Sequence, residues 1–134
     1  MTGGHVGVLL HVLRLFAVAE HVHGPVITWS AGAMALADQV VLFHDHPPRG
    51  ERPPEVHADG LGLYPGVVPL PHAARRLRLG DADHVALLAQ RLAPRRAVLL
   101  PAGTRVDLRD GAPLPATATT LTASGQVQSV AAAA

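Results

Sequence analysis

Cysteine, lysine and asparagine are absent from this 134-residue sequence. Without cysteine there are no disulfides, no thiolate metal sites and no cysteine nucleophile. The absence of lysine leaves all eleven basic residues as arginine. Together with the abundance of Ala, Gly, Pro, Arg and Val, this reads as the codon bias of a GC-rich genome. A strong charge of either sign is also lacking: the formal net charge is +1, which gives no global pull toward nucleic acid or anionic membrane. A long hydrophobic run is missing too. The longest, Val6–Ala19, is broken by His11 and Arg14 and is too short to span a bilayer. It lacks the basic region and cleavage pattern of a signal peptide. A cytoplasmic protein that binds neither nucleic acid nor membrane is the expectation.

About half of the residues are apolar, enough for one packed domain. Val6, Leu9, Leu10, Leu13 and Phe16 recur at helical spacing, so a helix over 5–19 is expected. Val26-Ile27-Thr28-Trp29 is a short, β-branched run of the kind found in strands buried on both faces. Ala31–Ala37 follows as a helix of small residues. Val40–Phe43 reads as a second strand. The proline-rich stretch 44–54 is an exposed loop, and Gly66–Leu70 is a third strand. Helices are expected over 73–79 and 82–92, the second capped by Asp81. Ala97–Leu100 is a fourth strand, Thr104–Leu108 a fifth, and residues 115–130 are read as a hairpin around Ser124-Gly125. The tail 131–134 is expected to fray. Strands alternating with helices predict an α/β domain with a doubly wound, mostly parallel sheet. The chain opens on Gly3-Gly4 and a helix, where such a sheet has strands already. The expectation is therefore a partial domain over 1–134, lacking N-terminal strands, with an exposed sheet edge that favours a homo-oligomer or a missing N-terminal half.

Ser30 stands between the Val26–Trp29 run and the following helix. A nucleophile elbow needs small residues beside the nucleophile because strand and helix pass closely there. Thr28, Ala31, Gly32 and Ala33 meet that need. The Ala31 N–H would face a developing oxyanion, with Gly3-Gly4 supplying a second donor. A serine here also reads as a plain helix N-cap. Nine histidines compete for the role of base. His72, in Pro69-Leu70-Pro71-His72, lies just past a strand, where α/β sites form; a helix-end histidine is the alternative. His44 and His46 form an H-x-H pair without further ligands at persuasive spacing, so no metal site is expected.

Gly3-Gly4, Trp29-Ser30-Ala31-Gly32-Ala33-Met34, Gly60-Leu61-Gly62-Leu63 and Pro71-His72 follow in one order. That order resembles the dipeptidase E and cyanophycinase family of serine peptidases, within the class I glutamine amidotransferase-like superfamily. The resemblance covers about residues 2–106, leaving 107–134 as C-terminal strands and tail. It implies Ser30 as nucleophile, His72 as general base, and Gly4 and Ala31 as oxyanion donors through their N–H groups. It implies an acyl-enzyme reaction on a short peptide, often beside an acidic residue, with no cofactor. Arg75 and Arg76, close after His72, are the candidates for holding an acidic group or a carboxylate. Three departures stand out. His5 replaces the family's Asn. Pro101-Ala102-Gly103 carries no carboxylate where the family's acid is placed, and Asp107 or Asp110 would have to substitute. The N-terminal strands are lacking. A non-catalytic family member acting as a binding module is the alternative expectation.

Overall fold

Val6, Leu10 and Leu13 bury one stripe of the first helix, α1 (Val6–Leu15). Its basic end also ties down a neighbour, because Arg14 Nη2 donates to the Asp59 carbonyl at 2.7 Å. The computed structural model describes residues 4–44, 53–109 and 111–130. The expected helix over 5–19 is shorter than its sequence pattern. Ala17 takes a left-handed conformation (φ 47°), and the chain continues as a 3₁₀ turn over Val18–His21. Phe16, expected on the buried face, is 66% exposed in consequence.

Helix α2 (Ala31–Ala35) is buried along its whole length. Strand β1 (Gln39–Leu42) pairs antiparallel with β2 (Glu55–Asp59), a strand that the sequence reading leaves unassigned. Strand β3 (Val67–Pro71) is buried throughout and runs parallel to β4 (Arg96–Leu100). Between them lie α3 (Ala73–Arg76) and α4 (Ala82–Leu92). Strands β5 (Thr119–Leu121) and β6 (Val127–Ser129) complete a sheet of order β3-β4-β5-β6. The β4–β5 and β5–β6 ladders are antiparallel. The fold is thus mixed α/β, and its ladders are mostly antiparallel rather than mostly parallel as expected.

The physical causes are local and readable. Val85, Leu88, Ala89 and Leu92 recur at helical spacing and are the buried residues of α4. Asp81 caps that helix by accepting the His84 N–H at 3.1 Å, which satisfies an otherwise orphan donor. The expected hairpin forms at Ser124-Gly125. Gly125 is buried and has φ 79°; a Cβ there would overlap the Ala82 carbonyl, so the tip docks against the first turn of α4. Asp38 joins three elements: it accepts the Gly66 N–H at 2.6 Å and lies 3.6 Å from Arg95. The main core gathers α1, α2, β1, β3, α4 and β4 around Leu36, Val40, Leu70 and Leu92. Val67, Val98, Leu114 and Ala118 form a second cluster on the other face of the sheet.

Two expected strands are not formed. Thr104–Leu108 is irregular and mostly exposed. Val26–Trp29 belongs to no strand among the described residues, and Val26, Ile27 and Trp29 are 44%, 81% and 53% exposed. A β-branched run becomes a buried strand only when neighbours flank it and cover its faces. No described strand runs beside this one. No helix among the described residues is long and apolar enough to cross a membrane.

Candidate active site

Ser30 is held at φ 50°, ψ −125°, directly before α2. That conformation is sparsely populated for a residue with a Cβ and costs about 1–3 kcal/mol, so the surroundings must enforce it. They do so from both sides. The Gly32 and Ala33 N–H groups bond back to the Trp29 carbonyl, and the Met34 N–H to the Ser30 carbonyl. The C-terminal end of α2 is closed by the Gly60–Leu63 segment, whose Leu61 and Leu63 N–H groups donate to Ala35 and Leu36 at 2.9 Å. Gly60 is required at this contact because a Cβ would overlap the Ala37 carbonyl. The glycine-leucine repeat noted in the sequence is therefore the clamp on the helix that Ser30 heads.

Ser30 lines an open cleft of about 240 Å³ together with Gly4, Ala31, His5, His44 and Arg76. Its apolar wall is Val6, Met34, Leu42 and Phe43. The space suits a fragment of one or two residues rather than a large ligand. The N–H groups of Gly4 and Ala31 enter no hydrogen bond among the described residues. Ser30 itself makes no side-chain cap bond, so the plain N-cap reading of this serine finds no hydrogen bond to support it.

The remaining candidates divide. Arg76 lines the cleft, its guanidinium 5.1 Å from the centre of the Phe43 ring, a cation–π contact that orients the charge. Arg75 is exposed and does not line the cleft. His72 stands at the head of α3 in a left-handed conformation (φ 55°), its N–H bonded to the Leu100 carbonyl. It is exposed and is not among the residues lining the cleft. Past β4, Pro101-Ala102-Gly103 is an exposed turn closed by the Thr104 hydroxyl on the Pro101 carbonyl. Asp107 is ion-paired to Arg105 at 2.7 Å. Asp110, Gly3 and His46 lie outside the described residues, and among those described no group of side chains is arranged to hold a metal ion.

The sequence reading names His44 only as half of an H-x-H pair and does not name Glu55. His44 lines the cleft, and its Nε2 lies 3.3 Å from Glu55 Oε1. For Glu55 the sequence carries no motif, only a place directly after Pro53-Pro54. Tyr64, bridged to Ala37 past the far end of α2, is largely buried, its hydroxyl without a partner in hydrogen-bond geometry. Burial pushes its pKa well above the usual phenol range, and the Thr28 side chain opposes that shift. No family model matches the sequence, no curated protein matches it, and no solved structure matches the fold.

Proposed function

We propose that this chain is a serine hydrolase of the dipeptidase E-like type, with a class I glutamine amidotransferase-like fold, acting on short peptides. The observation that carries the reading is the Ser30 backbone, strained at φ 50° and ψ −125° at the rim of a small cleft. Strain of this kind persists where it positions a side chain for use, and a strand-to-helix elbow is where a nucleophilic serine needs it.

In this reading Ser30 Oγ attacks the peptide carbonyl and its proton passes to an imidazole, which the family resemblance places at His72. The Gly4 and Ala31 N–H groups donate to the oxyanion. The proton then leaves with the amine, and water repeats the sequence on the acyl-enzyme. Arg76 holds an acidic side chain or the substrate carboxylate at the Phe43 wall, with Arg75 further out. The test is fluorophosphonate labelling of the purified chain read by intact mass. One adduct, lost in Ser30→Ala, is the expected result; no adduct on a chain folded by circular dichroism overturns the reading.

One observation favours a second reading, a non-catalytic relative that uses the cleft to bind. The turn Pro101–Gly103 offers no carboxylate to orient a base at His72. Binding of acidic dipeptides, undiminished in Ser30→Ala and without turnover, would select it.

A further inference from the structure

We infer that His44, oriented by Glu55, is the general base that serves Ser30. The inference rests on the hydrolase reading of Ser30 and differs from the resemblance only in which imidazole moves the proton.

A general base must reach the proton that it abstracts, so it has to share the cleft of its nucleophile. Among the described residues, two imidazoles line the cleft at Ser30, those of His5 and His44. Of these, His44 has a carboxylate: its Nε2–H donates to Glu55 Oε1 at 3.3 Å. This contact fixes the tautomer and leaves Nδ1 as the basic nitrogen. Among the described residues, His5, before α1, and Arg76, from α3, are the other titratable or charged groups lining the cleft. No carboxylate among the described residues lines the cleft to compete with His44 for the Ser30 proton.

The β1–β2 pairing builds this couple. Leu42 is in register with Glu55, so the carboxylate is set beside the chain just as it leaves β1 toward His44. The side chain of His44 is 26% exposed and that of Glu55 63%. So exposed a pair contributes little stability; its effect is to hold the ring. By contrast the His72 ring has no carboxylate partner among the described residues. A nucleophile, base and orienting acid are recognised by their geometry and roles rather than by their order in the chain. Here the order would be Ser30, His44, Glu55.

The step balances as follows. As the bond from Ser30 Oγ to the carbonyl carbon forms, the Oγ proton passes to His44 Nδ1 and the carbonyl π electrons move onto oxygen. As the carbon–nitrogen bond breaks, the electrons return to the carbonyl and the proton passes from Nδ1 to the departing amine. Water then adds with its proton taken by Nδ1, and Oγ leaves with that proton.

The experiment compares fluorophosphonate labelling rates of the full chain and its His44→Ala, His72→Ala, Glu55→Gln and Glu55→Asp variants. His44→Ala is expected to label roughly 10²- to 10⁴-fold more slowly, the usual contribution of a general base. Added imidazole is expected to restore it in proportion to concentration, which a structural histidine would not allow. His72→Ala keeps most of the rate. Glu55→Gln slows labelling and Glu55→Asp recovers part of it, the behaviour of a positioning residue. If His44→Ala does not fold, His44→Gln, which keeps a donor toward Glu55, takes its place. Normal labelling of the His44 variant, with slow and imidazole-rescued labelling of His72→Ala, overturns the inference while the hydrolase reading stands. A wild-type chain that does not label overturns both.

Discussion

The Leu61 N–H donates to the Ala35 carbonyl at 2.9 Å, so the segment that follows β2 seals the far end of the helix that Ser30 opens. The contact works because Gly60 lets two backbones touch: a Cβ at that position would overlap the Ala37 carbonyl and press on that of Ala35. Both obstacles are backbone in a fully buried stretch, so neither can swing aside. Gly60→Ala is expected to destabilise the chain by about 1–3 kcal/mol or more, the range of overpacked sites. Urea denaturation measures it. A midpoint unchanged from wild type would mean that the Gly60–Leu63 segment does not clamp α2.

Ser30 carries its cost in the backbone. Glycine adopts φ 50° without the steric penalty that a Cβ brings, whereas alanine keeps the penalty and loses only the hydroxyl. Ser30→Gly is therefore expected to be more stable than Ser30→Ala by about 1 kcal/mol, after the greater chain entropy of glycine is offset against the relieved strain. Neither variant should label. Equal stabilities would show that the turn relaxes in solution, and the elbow argument would fall with it.

The sequence discloses elements whose cause is local. Asp81 and the Val85, Leu88, Ala89, Leu92 stripe specify α4, and the observed helix spans Ala82–Leu92 as expected. Gly125, at φ 79°, turns the expected hairpin. What depends on a distant neighbour is not disclosed. Val26–Trp29 has the composition of a buried strand, yet composition does not say which strand lies beside it. Glu55–Asp59 alternates nothing, is largely exposed and becomes β2 only by pairing with β1. The same limit governs the site. Ser30, Gly4 and Ala31 follow from local pattern and do meet at one cleft. Arg75 and Arg76 are adjacent in sequence, and only the fold sends Arg76 to the Phe43 wall. His44 and Glu55 are brought together by a strand pairing that no short motif announces.

The Asp81 cap makes one part of the stability pH-dependent. Its carboxyl is held below the usual aspartate range, first by the His84 N–H and then by the nearby charges of Arg78 and His84. A depressed carboxylate stabilises the folded state above its unfolded pKa, and this contribution is lost as pH falls through the folded one. Asp81→Asn keeps a capping oxygen but no charge. It is expected to be less stable than wild type at neutral pH, with the gap closing as the solution is acidified below the ordinary carboxylate range. Thermal melts of the two chains across that range check this; a gap independent of pH would mean that the charge adds nothing to the cap.

Tyr64 sets the opposite limit. It is the one tyrosine in the chain, and burial raises its pKa well above the value of a free phenol. The unfolded chain therefore releases this proton near pH 10 while the folded chain retains it. The sign follows from linkage: below that pH both states are protonated and the contribution is fully present, and above it each further rise favours the unfolded state. Phenolate absorbance should accordingly appear together with loss of the circular dichroism signal rather than before it. Tyr64→Phe removes a hydroxyl with no partner in hydrogen-bond geometry, so it should be neutral or stabilising at pH 7 and should retain its fold to higher pH than wild type. Phenolate absorbance rising around pH 10 with the fold intact would place the hydroxyl in solvent, contrary to its packing beside Thr28.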